Sequence, residues 1–201
     1  MGILFCEAMH RFPRQGIVNQ LDNIFFIGLM GAGKTTIGRL LAKQLGRDFY
    51  DSDVEIERKT GVKIPLIFEL EGEAGFRKRE TAAIEELSQL KNIVMATGGG
   101  AVLLPENRAF LKNNGTVIYL RAKVNDLYQR TRHDKSRPLL QGGNAKQKLE
   151  RLYQERDPIY TSLADYIVDT GAQSANEITS TIEQLITKQA GERPREATQQ
   201  D

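Results

Sequence analysis

No run of apolar residues in this chain of 201 approaches the ~18 that a membrane-spanning helix needs. Its longest runs, residues 24–27 and 93–96 among them, have the size of single strands. Cysteine occurs once, at Cys6, so no disulfide can form within the chain, and a reducing, cytoplasmic setting is expected. One cysteine and two histidines, His10 and His133, do not make the ligand set of a structural zinc site. Neither sign of charge dominates. The 28 Lys and Arg against 26 Asp and Glu leave a net +2, which argues against a general nucleic-acid binder. The opening MGILFCEAMHRFPRQ lacks a basic start followed by an apolar stretch, so it does not read as a secretory signal. There is no internal repeat.

What is there is the make-up of one ordinary globular domain, 40% apolar and 27% charged. Short apolar runs alternate with amphipathic segments, which predicts βαβ units on a parallel sheet. Strands are expected at 24–27, 49–50, 93–97, 116–120 and 166–168. Ile37, Leu40, Leu41 and Leu45 mark one face of a first helix, closed by Gly46. Residues 54–60 read as a second helix, Pro65 opens a short one toward Glu71, and Phe76, Glu80, Ala83, Ile84 and Leu87 mark a longer one. Pro105 opens a helix to about residue 113, and 124–130 is helical. So is 145–163, although Pro158 should kink or break it. Ile178, Ile182, Leu185 and Ile186 mark the last helix. Residues 133–144 are polar and contain glycine, as a mobile loop would. The domain is expected to span 22–188, with a flexible extension at 1–21 and a disordered tail at 189–201; residues 1–20 and 190–201 are expected to be dispensable.

Gly28-Leu29-Met30-Gly31-Ala32-Gly33-Lys34-Thr35 fits the pattern G-x-x-x-x-G-K-[ST] and lies between a strand and a helix, the context that gives the pattern meaning. Glycines let backbone N–H groups turn inward around a phosphate, and the helix that follows points its positive end at the anion. Lys34 reaches the β- and γ-phosphates, and the Thr35 hydroxyl serves Mg²⁺. A merely tight strand–helix turn would not need both. The chain is therefore expected to bind a nucleoside triphosphate with Mg²⁺, through Gly31, Ala32, Gly33, Lys34, Thr35 and Thr36.

A phosphate loop serves switches, motors and kinases alike, so other motifs must decide. Asp51 and Asp53 stand two apart at a strand end. One could steady the metal's water shell and the other accept a hydroxyl proton, or Asp53 could simply cap a helix. Arg77 and Glu80 stand three apart on a helix and can pair, and a surface ion pair is the commoner role for such residues. Gly98-Gly99-Gly100 directly after an apolar strand suggests close approach of a ligand to the backbone, against a merely slack connection. Arg121, Lys123, Arg130, Arg132, Lys135 and Arg137 crowd one stretch, as a solvated face or as an anion site. Arg156-Asp157-Pro158-x-Tyr160 follows, with arginine suited to planar contact with carboxylate or phosphate.

In this order and spacing, GLMGAGKTTIGRLLAKQLGRDFYDSD, FRKRE, ATGGGAVL, SRPLL and ERDPIY resemble the shikimate kinase family over about residues 22–188. The resemblance implies transfer of the γ-phosphoryl of ATP to the 3-hydroxyl of shikimate, on the route to chorismate and the aromatic amino acids. It also implies a P-loop α/β fold of the nucleoside-monophosphate-kinase type, a five-stranded parallel sheet flanked by helices. A substrate-binding segment would lie at about 51–80 and a mobile lid at about 130–144. Lys34 and Thr35 then match the phosphate-loop lysine and the Mg²⁺ hydroxyl, and Asp51 matches a carboxylate acting on the metal through water. Asp53 matches the group that holds the shikimate hydroxyls. Arg77 and Arg156 match the pair that grips the substrate carboxylate, and Gly98, Gly99 and Gly100 line the substrate site. Arg137 matches the lid arginine over the phosphates, and Arg130 the arginine against adenine. The implied partners are ATP and shikimate, acting on a monomer without nucleic acid or membrane.

Two departures stand out. Many members carry Pro or Ser in the phosphate loop where this chain has Met30 and Ala32, and some carry a proline on adenine where this chain has Asp169-Thr170-Gly171-Ala172-Gln173. A related kinase of a small carboxylate, such as gluconate kinase, is the nearest rival. A guanine-nucleotide switch would show an N-K-x-D motif, and the chain has none.

Overall fold

Strand β1 (Asn23–Ile27, NIFFI) is buried along its whole length, as a strand covered on both faces must be. The computed structural model describes residues 23–132, 144–171 and 173–191. The expectations for residues 1–22, for most of the lid with Arg137, and for 192–201 lie outside the described residues. In chain order β1 is followed by α1 (Lys34–Leu45), β2 (Asp48–Asp51), α2 (Ser52–Thr60), α3 (Ile64–Gln89) and β3 (Ile93–Ala96). After a single 3-10 turn at Ala101–Leu103 come α4 (Pro105–Asn114), β4 (Gly115–Arg121), α5 (Val124–Thr131), α6 (Ala145–Leu163), β5 (Tyr166–Asp169) and α7 (Ala175–Gly191).

The five strands form one sheet in the order β2-β3-β1-β4-β5, every pairing parallel. Phe26 of β1 is opposite Ala96 on one side and Ile118 on the other. The chain leaves β1 for the edge at β2, returns through β3, then crosses to β4. Open sheets bind ligands outside the carboxyl ends of the strands, where the winding reverses. Here that point is the end of β1, between the turns that leave β1 and β3.

Helix α3 is two helices in one. Gly72, at φ 68° and ψ −175°, interrupts it, and each half matches one of the two helices expected on either side of that point. A bidentate pair from Arg79 to Glu71 spans the break at 2.9 and 2.6 Å. The region also has its own small core of Ile56, Ile67, Phe76 and Ala83, distinct from the main core on the sheet.

Three expectations change. Pro158 does not end α6, which is assigned as one helix through it. Pro158 and Gln154, whose carbonyl loses its i+4 donor, are both exposed, so water can serve that carbonyl. Helix α2 starts at Ser52, with Asp51 rather than Asp53 as its cap: the Asp51 carboxylate accepts from the N–H groups of Asp53 and Val54. Helix α7 reaches Gly191, past the boundary expected at 188.

One polar residue at the base of the sheet was not singled out by pattern. Asn23 is 1% exposed. Its amide donates to the carbonyls of Ser88 (3.2 Å) and Leu90 (2.6 Å) and accepts from the N–H of Ile93 (3.1 Å). It thereby ties the start of β1 to the end of α3 and the start of β3. Asn23→Ala would leave these buried groups unpaired, at a cost of about 3 kcal/mol. Urea denaturation should show the midpoint falling at constant slope. A loss below about 1 kcal/mol would mean that water replaces the amide.

Candidate active site

The loop after β1 holds its shape through glycines in the left-handed region, Gly31 at φ 81° and Gly33 at φ 96°, with Gly33 as the N-cap of α1. The axis of α1 thus starts at the loop, and its free N–H groups face the space where an anion would sit. Lys34 is 8% exposed and donates to the carbonyls of Gly28 (2.8 Å) and Leu29 (3.0 Å). A cavity of about 490 Å³ is lined by Gly31, Gly33, Lys34, Thr35, Thr36, Asp51 and Arg130. Ala32 does not line it, being 1% exposed with its N–H on the Leu29 carbonyl at 3.2 Å. Any contribution of Ala32 runs through its backbone.

At one wall the Thr35 hydroxyl donates to Asp51 Oδ2 at 2.7 Å, while Asp51 Oδ1 caps α2. Two hard oxygens beside a phosphate cradle suit a hard divalent cation that keeps most of its own water. Among the described residues no group of three or more His, Cys, Asp and Glu could hold a metal, so these residues offer no full cage. Arg130 donates to the carbonyls of Gly31 (3.3 Å), Thr170 (2.8 Å) and Gly171 (3.3 Å). It spans from the phosphate loop to the loop after β5.

A second cavity, of about 610 Å³, opens beside the first. Its apolar wall includes Ile64, Pro65, Phe68 and Phe76, and its polar wall includes Asp53, Arg77, Glu80 and Arg156 with the three glycines 98–100. Met30, Asp53, Val54 and Gly99 line both cavities and form the passage between them.

The three glycines turn after β3 against a crowd of charged side chains. A β-carbon on Gly98 would lie 2.7 Å from Asp53 Oδ1 and 2.9 Å from Glu80 Oε1, and one on Gly100 would overlap the Arg77 guanidinium. The Gly98 N–H donates to Ser52 Oγ at 3.0 Å, and the Gly99 carbonyl accepts from Arg156 at 3.0 Å. Arg77 is not a surface ion pair. It donates to Glu80 Oε2 at 2.6 Å and to Glu73 Oε1 at 2.9 and 3.2 Å, and Glu80 is 1% exposed. Burial pushes the Glu80 carboxyl above the usual carboxylate range, and Arg77 and Arg156 pull only part of the way back. Burial works against the Arg77 charge, but Glu80 and Glu73 more than offset it and hold its pKa above the ordinary value. Glu80 Oε1 and Arg156 Nε are buried without a hydrogen-bond partner, so the cavity has polar groups ready for a polar ligand.

The structure thus brings Asp53, Arg77, Arg156 and Gly98–Gly100 into one cavity, and the phosphate loop with Asp51 and Arg130 into the other. Ser52 and Glu80 were not placed in the site from sequence. The spacing that pairs Arg77 with Glu80 is the signal that could have placed Glu80.

The family model for "Shikimate kinase" matches residues 30–187. The chain belongs to the shikimate kinase family. It is 62% identical over 162 residues to the shikimate kinase of Thiobacillus denitrificans, covering 81% of this chain and 88% of that protein. It is 60% identical over 160 residues to that of Burkholderia lata, covering 80% and 87%. The solved shikimate kinase from Acinetobacter baumannii in complex with shikimate superposes with a TM-score of 0.82 at 54% identity, over 84% of this chain and 94% of that one. A gluconokinase from Sinorhizobium meliloti matches with a TM-score of 0.53 at 18% identity, over 90% and 96%, which is likeness of fold alone. The family places the nearest rival reading second and makes the chain an ATP-dependent kinase.

Gly100→Ala tests the glycine turn. The added carbon meets the tip of an arginine rather than backbone, so the turn should keep its course while Arg77 is displaced, and Tm should fall modestly because the buried Glu80 carboxylate loses part of its partner. The KM for shikimate should rise by roughly tenfold, as expected for one charged hydrogen bond, with the KM for ATP unchanged. An unchanged shikimate KM would show that Arg77 needs no room there.

Proposed function

We propose that the paired cavities transfer the γ-phosphoryl of ATP to the 3-hydroxyl of shikimate, giving shikimate 3-phosphate and ADP. The observation that carries this reading is the passage at Met30, Asp53, Val54 and Gly99, where a phosphate cradle meets a cavity walled by arginine, carboxylate and glycine. Phosphoryl transfer asks for positioning and for charge placed where it develops, more than for covalent chemistry.

The backbone N–H groups of Gly31, Gly33, Lys34, Thr35 and Thr36, at the start of α1, hold the β- and γ-phosphates. Lys34 leaves its two carbonyl acceptors for the phosphate oxygens. Arg77 and Arg156 take the shikimate carboxylate, which fixes the ring with its hydroxyl toward the passage. Asp53, in the passage, orients the 3-hydroxyl and accepts its proton as the new O–P bond forms and the bond to the β-phosphate breaks. Arg137 approaches the transferring group from the lid, and Arg130 lies against the base. Thr35 directly and Asp51 through water would hold Mg²⁺, which when bound neutralises charge on the phosphate oxygens. The substrate-binding segment at 51–80 corresponds to α2 and the first part of α3. We read the working unit as a cytoplasmic monomer. Among the described residues no helix is long and apolar enough to cross a membrane, and the large exposed apolar side chains are few.

A coupled assay should show ADP formation that needs both Mg²⁺ and shikimate and that gluconate does not replace. ADP formed equally fast without shikimate would mean a simple ATPase. Asp53→Asn should lower kcat by roughly 10²-fold or more while ATP still binds, since the phosphate loop is untouched. Near-normal turnover would remove Asp53 from the reaction.

A further inference from the structure

The motif Arg156-Asp157-Pro158-x-Tyr160 gives Arg156 a part in the acceptor cavity and leaves Tyr160 without one. Yet Tyr160 is the more deeply placed, at 0% exposure against 5% for Arg156. The two residues stand one turn apart on α6 and so share a face. Both donate to the same atom, the carbonyl oxygen of Gly99: Arg156 through an NH group at 3.0 Å and Tyr160 through its hydroxyl in a short hydrogen bond. A carbonyl has two lone pairs, and here both are used within the protein.

Gly99 is a poor anchor by itself. It lies between two other glycines, in backbone with no side chain to pack, and it lines both cavities. Something outside the turn must hold it. The Tyr160 ring is well suited to that. It packs against Tyr119 with ring centroids 4.9 Å apart, and the Tyr119 hydroxyl donates to Asp157 Oδ1 at 2.8 Å, one residue along from Arg156. Burial raises the pKa of both tyrosines, so each remains a neutral donor across the working pH range. The hydroxyl of Tyr160 is thus delivered to Gly99 from a rigid base in β4 and α6.

We propose that Tyr160 is a positioning residue for the acceptor. Its hydroxyl pins the Gly99 carbonyl, and the pinned carbonyl in turn sets the plane of the Arg156 guanidinium. This rests on the reading of Arg156 as a ligand of the substrate carboxylate. A side chain of this kind acts on shikimate without touching it. Its loss should appear in ground-state binding of the acceptor and nowhere else.

The test is steady-state kinetics on Tyr160→Phe, Arg156→Ala and the double variant, with Tm measured on each. Phenylalanine keeps the ring and leaves Gly99 with its Arg156 donor, so the fold should hold. Tyr160→Phe should raise the KM for shikimate by roughly 5–10-fold, with kcat and the KM for ATP within about twofold. In the Arg156→Ala background the same change should add nothing further, because the two residues act through one contact. Additive effects of the two substitutions on KM, an unchanged shikimate KM in Tyr160→Phe, or a fall in kcat alone would overturn the inference. If Arg156→Ala itself leaves the shikimate KM unchanged, the role given to Arg156 fails and the inference fails with it. A raised KM in Arg156→Ala beside an unaffected Tyr160→Phe sinks the inference alone.

Discussion

The missing β-carbons at positions 98 and 100 are the constraint on which the cavity beside the phosphate loop depends. The turn after β3 brings backbone within reach of Asp53 and Glu80 on one side and Arg77 on the other, and a methyl group at either position would occupy the space these side chains use. Their closeness then has electrostatic consequences. Glu80 is buried nearly completely, and a buried carboxylate is tolerable only with a cation against it. Arg77 supplies that charge at 2.6 Å and is itself steadied by Glu73. The cavity therefore has a fixed pattern of sign before any ligand arrives, the condition under which charged groups act without reorganising.

The same economy governs the phosphate side. Lys34 is nearly buried, and the phosphate loop itself supplies two carbonyl acceptors for its ammonium group. Asp51 serves two elements at once, capping α2 with one oxygen and accepting from Thr35 with the other. The acidic face of the nucleotide cavity is thereby held by the start of a helix rather than by a loose side chain. Sheet topology does the rest: the ends of β1, β2 and β3 place the phosphate loop, Asp51 and the glycine turn side by side.

Much of this was legible in the sequence, for reasons that differ by residue. The phosphate loop declares itself because its glycines, lysine and threonine are each required and are contiguous. The sheet was legible because parallel strands covered on both faces are continuous apolar runs, as 24–27 and 93–96 are. Arg77, Arg156 and the glycines were reached as a set only through the family resemblance that the order and spacing of their motifs carries. What escaped depends on contacts between distant parts of the chain. Asn23 has partners about 65 to 70 residues away, so nothing near it in sequence marks it. Tyr160 meets Gly99 across 61 residues and looks like an ordinary core aromatic. Pro158 misled because its effect depends on whether the freed carbonyl faces water, a question of exposure that a pattern does not answer. The cap of α2 moved by two residues because both aspartates are able caps, and only the geometry of the strand end chooses between them.

The separate small core under α2 and α3 has a consequence for how the molecule breathes. Ile56, Ile67, Phe76 and Ala83 pack with one another rather than into the main cluster on the sheet, and Gly72 interrupts the helix that would otherwise stiffen the unit. Opening α2 and the part of α3 before Gly72 exposes mainly that small cluster, while the later part of α3 stays anchored to the main core through Ile84 and Leu87. The amides of the opening segment therefore exchange with solvent through a local event of lower free energy than global unfolding, while those of β1 and β4 wait for the whole domain. This segment walls the cavity proposed for shikimate, so a ligand bound there should slow its exchange first.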